Sequence, residues 1–173
     1  NTNLDGRKLF VYAGNMGIAQ GMDIFIELAN SLKNRKDIGF MFVGRGSELS
    51  RLKKISANKK LDNVLFFDEV NPEEIPSLLK MCHVGLLGLD LRHKSHNIPG
   101  KFLTYLQAGL PVLAKINPGN DLQDIIESEN VGIVYSSNIV DDFSVLAEKI
   151  IDDEATYKTM SISSKSLFDR MFS

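Results

Sequence analysis

Short apolar runs alternate with longer amphipathic stretches along the whole chain, and the two differ in period. Lys8 to Ala13 (KLFVYA), Ile38 to Val43 (IGFMFV), Asn63 to Phe67 (NVLFF), His83 to Leu87 (HVGLL), Pro111 to Lys115 (PVLAK) and Val131 to Tyr135 (VGIVY) are each too short for a helix. Turn residues bound them, which marks them as strands. Between them the spacing is helical: Met22, Phe25, Ile26, Ala29 and Leu32 recur at steps of three and four and share one face. Further helices are expected over Ser47 to Asn58, Pro72 to Met81, Gly100 to Ala108, Leu122 to Glu127, Asp141 to Ile151 and Glu154 to Met171.

Strands that alternate with helices imply a parallel sheet, and six of them joined by right-handed crossovers imply an α/β, Rossmann-like, doubly wound sheet in the order 3-2-1-4-5-6. Ligands of such sheets bind beyond the carboxyl ends of the strands where the order reverses. Here that means the loops after the first and fourth strands. At 173 residues, with no internal repeat or second boundary, residues 1–173 read as one domain.

Composition narrows the function classes. The chain is 43% apolar and 24% charged, with no run long and apolar enough to cross a bilayer. A net charge of -2 argues against a nucleic-acid-binding face, and the basic cluster Arg51, Lys53, Lys54, Lys59 and Lys60 reads as a solvated helix face. Cys82 is the only cysteine, which excludes an internal disulfide and a cysteine-rich metal site and fits a reducing cytoplasm. Asn1 to Lys8 is polar and lacks the apolar core of a signal peptide; it reads as a cut in an interdomain linker.

Two loops carry candidate chemistry. Gly14-Asn15-Met16-Gly17-Ile18-Ala19-Gln20-Gly21 follows the first strand and leads into a helix, where free amides can meet an anion. Its glycine spacing is not the dinucleotide fingerprint. The second strand ends in Gly44-Arg45-Gly46 without an acid to hold a ribose, so an NAD site is not expected. The plainer reading of the glycines is a tight turn. In the segment from Ser95 to Leu113, Asn97 is a cap and Pro99 suits the first helical turn. The helix start at Gly100 and the ammonium of Lys101 would then face a diphosphate at the switch point, unless this is an ordinary capped helix with a surface lysine.

His83, His93 and His96 show no metal-ligand pairing. His83 opens a strand and reads as structural. His93 and His96, beside Arg92 and Lys94, lie in the loop after the fourth strand, where they either meet ligand or are solvated. Asp90 is read as a turn residue before a ligand contact.

YAGNMG (Tyr12 to Gly17), VGRGSE (Val43 to Glu48), FFDEV (Phe66 to Val70), HNIPGKF (His96 to Phe102), YLQAGLPVLA (Tyr105 to Ala114) and NPGND (Asn117 to Asp121) together give the chain a family resemblance. It resembles the C-terminal domain of the GT-B fold retaining glycosyltransferases of family 4, and within them the branch assigned as L-fucosamine transferases of bacterial surface-polysaccharide (O-antigen, capsule and lipopolysaccharide) synthesis. The likeness covers almost the whole chain. Many family members carry two glutamates separated by seven residues; counting back from Gly109 puts His96 and Thr104 at those positions, so both carboxylates are absent. The second usually binds the nucleotide ribose, a role left to the Thr104 hydroxyl. Asn15 and Gln20 stand where members often have Arg and Lys, which shifts phosphate charge onto Lys101, Arg45 and backbone amides.

The resemblance implies the donor half of a hexosyltransferase moving a sugar, with N-acetyl-L-fucosamine as candidate, from a nucleoside diphosphate to a lipid-linked or saccharide acceptor. The donor is expected to be a UDP-sugar, with no cofactor and no metal. Lys101 and Arg45 are the catalytic candidates. Gly14, Asn15, Gly17, Val70, His96, Pro99, Gly100, Thr104, Asn117 and Asn120 are the nucleotide-sugar-binding candidates. Related enzymes place the base near Glu69, Val70 and Asn71 and the sugar near Asn117 to Asp121. The partners expected are the donor and an N-terminal acceptor domain, with membrane contact only indirect, through a lipid-linked acceptor, in the cytoplasm or at the inner face of the cell membrane. The isolated half is expected to be inactive. The alternatives are a free-standing module that binds a nucleotide or phosphorylated ligand without catalysis, and the related sugar-nucleotide epimerases, whose carboxylates and histidines have no counterpart here.

Overall fold

A computed structural model describes residues 4–68, 70–89, 98–117, 120–137 and 139–173. Six strands, β1 (Lys8–Ala13), β2 (Ile38–Val43), β3 (Val64–Phe67), β4 (Val84–Gly88), β5 (Val112–Lys115) and β6 (Gly132–Tyr135), form one sheet in the order β3-β2-β1-β4-β5-β6. All five pairings are parallel, with Phe10 opposite Phe40 and Val84, and Leu113 opposite Leu86 and Ile133. The expected sheet and order are therefore found, and every loop that leaves a strand starts from the same end.

Strands covered on both faces need apolar side chains on both, which is why β2 and β4 are continuous apolar runs buried at each position. Helices α1 (Asp23–Ser31), α2 (Leu49–Asn58) and α6 (Val140–Asp152) supply one layer, packing Phe25, Leu52 and Phe143 with Phe10, Tyr12 and Phe40. Helices α3 (Ile75–Leu79), α4 (Gly100–Gln107) and α5 (Asp121–Ser128) supply the other, packing Leu79, Phe102 and Leu122 with Val11 and Leu87. Helix α7 (Glu154–Met171) reaches both, with Met160 in the first cluster and Leu167 in the second. It passes the amino ends of β5 and β6, where Ser161 Oγ donates to the Gly109 carbonyl at 2.6 Å and Ser164 Oγ to the Val131 carbonyl at 3.5 Å. His83 lies at the same end, its Nδ1 accepting from the Leu9 amide at 3.0 Å, so it is a structural residue.

Two helices differ from expectation. The helix expected over residues 72–81 is a short 3-10 turn, Pro72–Glu74, followed by the five-residue α3, because Pro76 falls in the first turn of the new helix where its missing N–H costs nothing. Pro99 is the cap of α4 rather than its first helical residue; its backbone is extended and its carbonyl accepts from the Phe102 amide at 3.1 Å. The basic residues of α2 are exposed as expected, with Arg51 paired to Asp23 and Glu48 and Lys53 to Asp68. Cys82 is buried, which pushes its thiol up to about 12. Among the described residues no helix is long and apolar enough to cross a membrane.

Candidate functional site

β1 and β4 are neighbours whose helices cover opposite faces, and α4 fixes what lies at the gap between their loops. Tyr105 of α4 is fully buried. Its hydroxyl donates to the Leu86 carbonyl of β4 at 2.8 Å and accepts from the Ala13 amide at the end of β1 at 3.0 Å. The ring sits this close because β4 carries Gly85 beneath it; a Cβ there would lie 2.4 Å from Tyr105 Cδ2. Lys101, four residues earlier on the same helix face, is thereby directed to the carboxyl edge of β1.

There Lys101 Nζ donates to Tyr12 Oη at 2.6 Å and lies 3.9 Å from the centre of the Tyr12 ring. Tyr12 is fully buried, and its hydroxyl donates in turn to the Asn15 carbonyl at 2.5 Å. Burial raises the Tyr12 phenol well above its ordinary range, so it stays protonated. The same burial lowers Lys101 from 10.5 to about 8. A drop of that size disfavours the ammonium by roughly 3 kcal/mol, an order-of-magnitude cost that a bound anion would relieve. Gly14 makes room for this arrangement. With φ at +146° it occupies a conformation L side chains rarely adopt, and a Cβ on it would meet Lys101 Cε at 2.6 Å.

These residues border a cleft of about 370 Å³ lined by Ala13, Gly14, Val43, Gly44, Val70, Pro72, Ile75, Lys101 and Thr104. Among the described residues Lys101 is its one ionisable group, facing an apolar side made by Val70, Pro72 and Ile75. A hollow of about 510 Å³ on α7 beside Lys165 and one of about 390 Å³ beside His83 lie elsewhere and lack this convergence of strand ends. Among the described residues no group of three or more His, Cys, Asp or Glu is placed to hold a metal ion.

Four of the site residues expected from sequence, Gly14, Val70, Thr104 and Lys101, thus meet around one cleft. Thr104 Oγ1 donates to the Gly100 carbonyl at 3.0 Å, which leaves its lone pairs to the cleft. Pro99 and Gly100 open α4 one turn away. Arg45 is exposed on the loop after β2, its Nε donating to the Asp68 carbonyl at 3.1 Å, and it is not among the residues lining the cleft. Asn117 follows β5 at the same end of the sheet, and Asn120 uses its Oδ1 to cap α5 by accepting from the Leu122 amide at 2.8 Å. His96, with Glu69, Asp90, Arg92, His93, Lys94 and Asn97, lies outside the described residues.

Three amides of the glycine loop are taken up within the chain. Gly14 N–H donates to the Val43 carbonyl at 2.8 Å and Met16 N–H to the Arg45 carbonyl at 2.7 Å. Gly17 N–H donates to Gln20 Oε1 at 3.0 Å, while Asn15 is exposed with its side-chain amide 3.5 Å from the same oxygen. The loops after β1 and β2 run side by side and share the first two of these bonds, and among the described residues the charge at the cleft is that of Lys101. Tyr12 and Tyr105, which hold that charge in place, are not legible from sequence as site residues, since both read as core aromatics. The one signal was the spacing of four between Lys101 and Tyr105.

Residues 1–166 match the family described as glycosyl transferases group 1. WcaI of Escherichia coli (strain K12), named for colanic acid biosynthesis as a glycosyl transferase, is 38% identical over 82 residues, 46% of this chain and 20% of that protein. The other curated relatives it matches are spanned to 32% and 40% of their length, so the chain covers less than half of each. Among solved structures, the C-terminal domain of the group 1 family protein LpcC from Francisella tularensis superposes with a TM-score of 0.77 at 17% identity, over 96% of this chain and 87% of that one. HepE of Anabaena, solved in complex with UDP-glucose, gives a TM-score of 0.77 at 14% identity, over 96% of this chain and 45% of that one. At such identities the likeness is one of fold, that of GT-B C-terminal domains. The family match, which covers nearly the full sequence, shows that this chain belongs to the group 1 glycosyl transferases.

Proposed function

We propose that this domain binds the donor of a retaining glycosyltransferase, a UDP-sugar, and supplies the positive charge that receives the departing diphosphate. The observation that carries the reading is a half-buried ammonium, Lys101, with no carboxylate partner among the described residues, in a cleft at the point where the strand order reverses. Cleaving the bond between sugar and diphosphate places extra negative charge on the leaving group. A fixed cation there lowers the barrier because its attraction is stronger in that state than in the ground state. The first turn of α4 adds the positive end of its dipole. The apolar side of Val70, Pro72 and Ile75 suits a base, and the Thr104 hydroxyl a ribose, contacts that bind ground and transition states alike.

In the complete enzyme the acceptor, a lipid-linked or saccharide one, belongs to an N-terminal domain, and the two domains together exclude water from the reaction. The place in surface-polysaccharide synthesis is supported by the similarity to WcaI, and N-acetyl-L-fucosamine is the sugar we favour from the motifs. The work is placed on the cytoplasmic side, with no metal required for the charge balance. Arg45 reaches the diphosphate only if its side chain leaves Asp68. Calorimetry on the purified chain tests the reading: UDP is expected to bind, GDP more weakly, and incubation with UDP-sugars and acceptor to give no transfer. Absence of UDP binding, or equal affinity for UDP in a Lys101→Met variant, would overturn it.

A further inference from the structure

Tyr12 has a hydroxyl that its packing does not need. On the same face of β1, Phe10 is equally buried and stacks on Phe40 at 5.1 Å with no polar atom. The Tyr12 ring likewise packs on Phe25 at 6.0 Å. Its hydroxyl, however, sits at the carboxyl edge of the sheet and is used twice, accepting from Lys101 Nζ at 2.6 Å and donating to the Asn15 carbonyl at 2.5 Å. One oxygen therefore joins a side chain from α4 to the backbone of the loop after β1, two elements distant in sequence. Gly14, between Tyr12 and Asn15 in the chain, has no Cβ where the Lys101 side chain passes.

We propose that Tyr12 is a positioning residue for the diphosphate site: its hydroxyl holds the Lys101 ammonium and the Gly14 loop in a single arrangement, ready before the ligand arrives. This rests on the reading of Lys101 as the diphosphate contact. The ring alone would keep a cation nearby through its face but would not fix which way the N–H groups point. The hydroxyl takes one N–H and leaves the remaining two for phosphate oxygens. It also favours the charged form against burial, since a hydrogen bond to an ammonium stabilises that form. Among the described residues, the groups lining the cleft around Lys101 bring no competing charge. From β2 and its loop come Val43 and Gly44, from the α3 side Val70, Pro72 and Ile75, and the two phenols, Tyr12 and Tyr105, are both kept protonated by burial.

The test is the pH dependence of UDP binding to this chain, measured by calorimetry from neutral to alkaline pH. In the unsubstituted protein affinity is expected to fall as pH rises through about 8, where the free ammonium is lost. Tyr12→Phe should begin that fall about one pH unit lower and weaken UDP binding near neutrality by about fivefold. Lys101→Met should flatten the dependence, and Tyr12→Phe added to it should cost nothing more. Replacement of tyrosine by 3-fluorotyrosine, which keeps the ring and weakens the hydroxyl as an acceptor, should move the midpoint in the same direction and decides the matter if Tyr12→Phe does not fold. A midpoint unmoved by either change, or an equal loss with and without Lys101, overturns the role of Tyr12. A Lys101→Met chain that binds UDP normally across the pH range instead overturns the diphosphate site itself.

Discussion

At the amino end of the sheet, polar groups are answered from within the chain. Ser161 and Ser164 of α7 cap the carbonyls of Gly109 and Val131, His83 accepts from the Leu9 amide, and Arg35 spans Asp37, Glu148 and Asp152 at 2.9, 2.6 and 2.8 Å. At the carboxyl end Lys101 has a phenol and an aromatic face but, among the described residues, no carboxylate, beside a cleft of about 370 Å³. One end is arranged to make the fold stable; the other keeps a charge at the expense of stability. A half-buried ammonium at such a cost to stability is a mark of a functional site rather than of a structural one.

The largest effect that can break the comparison is at Lys101. In a two-domain enzyme containing this domain, Lys101→Met should lower turnover by about a hundredfold, the scale on which one preorganised charge donor is lost. Its melting temperature should stay the same or rise, since the burial cost is removed with the charge. Kinetics and melting of the same variant give both numbers; a falling melting temperature with unchanged turnover would make the lysine structural.

Tyr105 sharpens the comparison, because it stands toward the carboxyl end yet is satisfied like the groups at the other. Tyr105→Phe strands the part-buried Ala13 amide and the buried Leu86 carbonyl and should cost about 2 kcal/mol. For a chain of this size that is about 4–8 °C in melting temperature. UDP affinity should change by no more than about twofold. A selective loss of affinity at constant stability would move Tyr105 into the binding machinery.

The smallest effect is the pH response of the amino end. Burial and the nearby Lys8 lower His83 below its ordinary value of 6.5. As pH falls past 6.5, the unfolded chain takes up a proton that the folded one resists, so stability declines. Lys101 follows the same rule in another window: between about 8 and 10.5 the unfolded chain binds more protons, so stability rises with pH while UDP affinity falls. Urea unfolding at pH 5 and pH 7 should show a modest loss that His83→Ala reduces. Equal losses in both proteins would free His83 of that role.

Much of this was open to reading from the chain itself, for a physical reason. Strands buried on both faces must be short apolar runs, and the six runs match β1 to β6 to within a residue at either end. The parallel order then brings Gly14, Val70, Thr104 and Lys101 toward one place without any further information. What was hidden depends on atoms that sequence patterns treat as equivalent. A tyrosine in a strand and a phenylalanine look alike to a period of two, so the Tyr12 hydroxyl carried no signal. Gly85 is invisible until a ring is seen to occupy the space of its missing side chain. The amides of Gly14, Met16 and Gly17 were expected to be free because nothing in the sequence says that two adjacent loops will use them.

Helix α7 sets the order in which the domain can be completed. Its 18 residues place Met160 in one hydrophobic layer and Leu167 in the other, so neither layer is closed without it. During synthesis the N-terminal strands and helices emerge first and can associate, but with apolar surface still open on both faces of the sheet. Both layers can close only once α7 is laid across the amino ends of β5 and β6. Until then the nascent chain offers its unsealed faces to solvent and to chaperones.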